Sequence, residues 1–108
     1  MSVIPPSGKT EIQTLDPRDG RALRELMSAV AIDEDAGKWT VYNAEGHEYP
    51  MDVCEGVCSC EDFTHGHNHC KHLRRVEYIV GDREVPEWVN PDEIERNLRD
   101  RLDSEGHL

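Results

Sequence analysis

Residues 58–72 read Cys-Ser-Cys-Glu-Asp-Phe-Thr-His-Gly-His-Asn-His-Cys-Lys-His. The stretch opens and closes with a pair of metal-ligating residue types, Cys58 with Cys60 and Cys70 with His72, and each pair is spaced by a single residue. In extended backbone, side chains two apart point to the same side. One strand end can therefore present both Cys58 and Cys60. Cys70 and His72 stand where an apolar helical pattern begins, and a helix N-terminus favours the thiolate form of a nearby cysteine. Three thiolates and one neutral imidazole form a donor set suited to tetrahedral zinc. With all four positions taken by protein, the spacing predicts one structural Zn2+ and no open coordination position for catalysis.

Working outward, Lys38 to Asn43 places Trp39 and Val41 on one face and Thr40 and Tyr42 on the other. After the turn Asn43-Ala44-Glu45-Gly46, residues Tyr49, Met51 and Val53 alternate with Glu48, Pro50 and Asp52. The two runs form a β-hairpin, and Pro50 puts the second strand at an edge or turns its missing N–H to solvent. Ser28 to Ile32 adds a third strand, followed by the turn 33–37. On the other side, Leu73, Val76, Ile79 and Val80 are the apolar side of a helix over 70–80 that Gly81 ends. Asp16-Pro17 opens an N-terminal helix, in which Ala22, Leu23, Leu26 and Met27 share a face. Asn90-Pro91-Asp92-Glu93 opens a last one bearing Ile94, Leu98 and Leu102, a stripe that packs on its own domain.

The expected fold is therefore a small α+β domain. A β-hairpin or three-stranded meander and a helix share a Cys3His zinc, with helices flanking at both ends. Its parts are a flexible arm at 1–14, a helix and possible strand at 15–37, the metal-bearing unit at 38–80, and a linker with an amphipathic helix at 81–108.

Cys-x-Cys, nine residues, then Cys-x-His resembles the SWIM-type zinc finger. The hairpin before the first cysteine, Asp62-Phe63 after the second, and Lys71-His72-Leu73 running into a helix carry the same resemblance. It spans residues 38–80, and Pro86 to Asp92 look like the tail of short stand-alone members from halophilic archaea. The resemblance implies a non-catalytic module that binds another protein or DNA.

Other residues complicate the ligand set. Cys54 precedes Cys58 by four, and four cysteines are also a set for an iron–sulfur cluster. The resemblance gives Cys54 no role, and it reads as a small core residue. His65, His67 and His69 alternate between the ligand pairs and read as a solvated histidine-rich loop, although they are capable of taking a second metal.

Composition bounds the function. Hydrophobic residues make up 36 % of 108 residues and charged ones 32 %, too little apolar area for a large core without a staple. Reduced thiols, no signal-like leader and no apolar run of membrane length point to the cytoplasm. The net charge of −11 repels nucleic acid and anionic membrane. Abundant acids with scarce lysine resemble proteins of extreme halophiles. Lys71, Arg74 and Arg75 are the one basic cluster near the finger. They are candidates for a phosphate or partner contact, or for pairing with acids such as Glu77. A protein partner is expected first and DNA second, with no membrane, no small-molecule substrate and no enzymatic activity.

Overall fold

The computed structural model describes residues 16–64 and 70–107. The expected arm and the three histidines at 65, 67 and 69 lie outside them. The elements are α1 (Pro17–Arg24), β1 (Met27–Asp33), β2 (Lys38–Asn43), β3 (Glu48–Asp52), β4 (Val57–Cys58), the single turn α2 (Glu61–Thr64), α3 (Lys71–Val80), a 3-10 turn (Pro91–Glu93) and α4 (Arg96–Ser104). The fold is α+β, and the strands form one antiparallel sheet in the order β1-β2-β3-β4.

The sheet follows the alternation in the sequence. Trp39 and Val41 of β2 and Met51 of β3 are buried on one face, where Trp39 stands opposite Met51 and Val41 opposite Tyr49. The expected meander gains a fourth strand of two residues, in which Cys58 pairs with Met51. Pro50 thus does not sit on an edge strand. Its carbonyl receives the Ser59 N–H at 3.3 Å, so its nitrogen faces the side where β4 gives out rather than the ladder with β2. The turn before β2 and the turn after β3 meet at Gly37. Its φ of +74° requires glycine, its carbonyl accepts the Val53 N–H at 2.8 Å, and a Cβ there would stand 2.5 Å from the Cys54 sulfur.

α3 lies against the buried face, with Leu73, Val76 and Ile79 in the core and Gly81 closing it at φ +86°. α1 and α4 join the same cluster through Ala22, Leu23, Leu98 and Leu102. Asp16 caps α1 through the Arg18 N–H at 2.9 Å, as its sequence predicts. The helix stops at Arg24, however, so Leu26 is exposed and Met27 enters the core from β1 rather than from a helical face.

The reason lies in Arg75. This guanidinium is 1 % exposed and donates to the carbonyls of Ala22, Glu25 and Met27 at 2.9–3.0 Å and to the Glu95 carboxylate. It takes two carbonyls from the end of α1 and its cap, groups that a helix leaves without partners. The same ion pair corrects the reading of the last helix. The Asn90 cap supports one 3-10 turn, then Ile94 turns extended at φ −82°, ψ 135°. That break lets the Glu95 N–H reach the Leu23 carbonyl at 2.8 Å, its carboxylate reach Arg75, and α4 start afresh with Glu95 as cap. Ile94, Leu98 and Leu102 are all buried, so the stripe packs inward as expected.

Removing one partner of a buried ion pair leaves an uncompensated charge and costs about 3–5 kcal/mol. Glu95→Ala should therefore destabilise the metal-saturated protein to urea by about 3 kcal/mol or more. Asp100→Ala, which breaks the exposed pair with Arg96, should change it by less than about 0.5 kcal/mol. Equal effects of the two changes would refute this view of Arg75.

Candidate metal centre

The four residues singled out by spacing meet in space. One donor atom each from Cys58, Cys60, Cys70 and His72 lie within 4.8 Å of one another, and all four residues are buried. β4 delivers Cys58, the bend after it delivers Cys60, and the first turn of α3 delivers Cys70 and His72. Cys70 occupies the N-cap position with an extended backbone (ψ 171°). The Cys70 sulfur stands 3.9 Å from Nδ1 of His72.

The donor set fits zinc on chemistry and on size. Zn–S bonds of about 2.3 Å and Zn–N bonds of about 2.0 Å set tetrahedral donors about 3.5–3.8 Å apart, so a small closing movement suffices. Cys58, Cys60 and Cys70 are all unbridged. Three thiols packed together in a nonpolar interior gain little as thiols, whereas three thiolates around a dication are strongly held. A zinc ion here would act as a crosslink between the sheet and α3.

Electrostatics within the group divide the thiols. The Cys58 thiol donates to Cys70 and, together with burial, this pushes Cys58 well up. Burial pushes Cys60 up as well. Cys70, which accepts from Cys58 against the opposing effect of burial, is lowered to about 4, with His72 and Cys60 contributing in the same direction.

Several side chains brace the centre. The Tyr49 ring stacks on the His72 imidazole at 4.1 Å between centroids and 21° between planes. Arg18 of α1 holds Asp62 of α2 through two bonds of 2.8 and 3.0 Å, fixing the turn that follows Cys60. An open cavity of about 430 Å3 beside the centre is lined by Arg18, Arg21, Tyr49, Asp62, Lys71 and His72, among others.

Cys54 is outside the group and exposed, a correction to its reading as a core residue. Its sulfur leans on Gly37 at the opposite end of the β3–β4 turn. The basic cluster also needs correction. Arg75 is buried in the bonds described above and offers nothing to a phosphate. Arg74 reaches Asp19 at 2.8 Å, and Lys71 reaches Glu25 at 2.6 Å. Glu77 pairs with Arg83 at 3.0 Å, and Tyr78 donates to Asp19 at 3.0 Å. Lys71 and Arg74 are thus turned onto the acids of α1 and its cap, and Arg75 onto Glu95 at the start of α4.

The SWIM zinc finger family model matches residues 30–81, a stretch that runs from β1 to the glycine closing α3. Over those residues the chain is similar to a SWIM zinc finger, and the buried Cys3His group is compatible with one structural zinc ion. No curated protein and no solved structure matches the chain. Among the described residues, no helix is long and apolar enough to cross a membrane.

Metal uptake must displace the protons that the free group holds. Withdrawal of the metal unfolds the site in this account, so the thiols of the free chain titrate near the ordinary value of about 8.5, and zinc uptake at about pH 7 should release protons from Cys58, Cys60 and Cys70. Affinity should then rise steeply with pH below about 8 and fall as acid returns the protons. Calorimetry in buffers of different ionisation enthalpy counts the protons. A count that stays near zero at about pH 7 would contradict ligation by the three cysteines as thiolates.

Proposed function

We propose that this chain is a non-catalytic interaction module in which Cys58, Cys60, Cys70 and His72 hold one structural zinc ion, and that it docks on another protein. The observation that carries the reading is the complete protein ligand set, buried on all four members. A closed tetrahedral set leaves no position for a metal-bound water or a substrate, so the ion serves the fold rather than a reaction.

The choice of a protein over a nucleic acid rests on charge. Lys71, Arg74 and Arg75, the cations of the first half of α3, are each paired with a carboxylate of this chain. The net charge of −11 works against any polyanion. The outer face of the sheet offers a different surface. Val30, Ile32 and Val57 are 46, 65 and 48 % exposed there, beside the ion pair of Lys38 with Asp52. Apolar side chains with a polar rim suit a protein partner.

Fluorescence titration with duplex DNA separates the two classes. The zinc-loaded chain should show no saturable binding from about 50 to 200 mM salt, whereas several phosphate contacts would give a steep fall of affinity with salt. On the protein side, Ile32→Asp should abolish association with a captured partner while zinc content stays at one per chain. Retained association would move the docking surface elsewhere.

A further inference from the structure

We propose that Tyr49 is a positioning residue for the metal ligand His72: its ring sets the plane of the imidazole and so the direction in which the ligating nitrogen points. The inference rests on the reading of Cys58, Cys60, Cys70 and His72 as the zinc ligands, and adds to it the residue that aims one of them.

The geometry supports this directly. Of the four ligands, the three cysteines have short side chains in which a single torsion places the sulfur. His72 has an additional rotatable bond between Cβ and the ring, and that ring must be oriented before its nitrogen can coordinate. The Tyr49 ring stacks on it at 4.1 Å and 21°. The Cys70 sulfur lies 3.9 Å from Nδ1, which places that nitrogen toward the group. Tyr49 is itself held from two directions. It sits opposite Val41 in the β2–β3 ladder, and its hydroxyl oxygen accepts from the Asn43 amide at 3.4 Å. Asn43 in turn accepts the N–H groups of Glu45 and His47 at 2.9 Å and so belongs to the hairpin turn. A chain of contacts thus runs from the turn through the phenol ring to the imidazole. Both rings line the cavity beside the centre.

Chemistry adds a reason for an aromatic residue here rather than an aliphatic one. A metal dication withdraws electron density from the imidazole. An electron-poor ring gains from the electron-rich face of a phenol, as cations do. The stack therefore strengthens when metal binds. Leucine would fill much of the same space without supplying that face.

The test uses Co2+, whose visible absorption in a thiolate site reports both occupancy and ligand geometry, with zinc competition for affinity. The full chain is compared with Tyr49→Phe, Tyr49→Leu and Leu102→Ala, the last a core variant on α4. Tyr49→Phe should keep the wild-type band positions. Tyr49→Leu should shift them and weaken zinc binding about tenfold or more, the range typical of residues that orient metal ligands. Leu102→Ala should lower thermal stability with the bands unmoved. Unchanged bands and affinity in Tyr49→Leu, or an equal band shift in Leu102→Ala, would overturn the proposal. If the wild type gave no cobalt–thiolate absorption, the ligand assignment itself would fall, and this inference with it. Should Tyr49→Leu not fold, proton NMR of the zinc-loaded wild type decides. The His72 ring protons should lie upfield under the Tyr49 ring current, and normal positions for them would contradict the stack.

Discussion

Two short ligand pairs from opposite sides of the molecule converge on one buried point, and every other element is arranged to bring them there. β4 is only two residues long and exists where Cys58 must be pinned to Met51 of the sheet. α3 begins at Cys70, so that the helix end and the second pair coincide. Three cysteine sulfurs in a nonpolar interior are a poor substitute for packed hydrocarbon, and a sheet with 6 % aromatic residues in the chain has little to spare. The arrangement makes physical sense as a crosslinked one. Small domains whose cores fall short of their chain entropy are held by disulfides or metals, and this composition calls for such a staple.

Charge is used inward as well. Arg75 is surrounded by three carbonyls and a carboxylate, and burial alone would lower its pKa, an effect that Glu95 opposes. That single guanidinium ties the end of α1, the start of β1 and the start of α4 to the helix that carries two of the metal ligands. Close by, the nearly buried Asp19 receives Arg74 and Tyr78, and burial beside that carboxylate pushes the tyrosine hydroxyl up. Along the unpaired edge of β1, Arg101 reaches the Ala29 carbonyl at 3.4 Å and its guanidinium lies over the Trp39 ring at 5.4 Å. Carbonyls of Met27 and Ala29 that would otherwise offer a template for a further strand are thus occupied by arginine. The scarcity of lysine fits this use, since a planar fork of donors satisfies several acceptors where an ammonium cannot.

Most of the fold was legible because its signals are local. Alternation in 38–53 fixes a hairpin, the 73-76-80 spacing fixes a helix face, and Asp16-Pro17 and Gly81 mark ends with stereochemical reasons. The ligand set was legible because it is a matter of spacing and residue type. What escaped were pairings across the chain. The Asn90 cap announces a helix, but the pull of Arg75 on Glu95, twenty residues away, interrupts it. Arg75 was read as a surface cation, yet it follows His72 by three and precedes Ile79 by four, which puts it beside two buried positions of α3. A helical wheel carried that signal. Nothing in the sequence marked the stacking of Tyr49 on His72, since alternation says only which face of the sheet Tyr49 occupies. Cys54 reads as a small core residue, yet it is exposed. Its sulfur lies against Gly37 in the turn before β2.

The central claim is that one ion, held by three thiolates and an imidazole, is a condition of the folded state. Native mass spectrometry of the purified chain, paired with circular dichroism before and after a strong chelator, tests it most directly. The account requires a mass increment of one zinc per chain, and loss of the sheet and α3 signal when the metal is withdrawn, recovered on adding zinc back. A metal-free chain with an unaltered spectrum would contradict it.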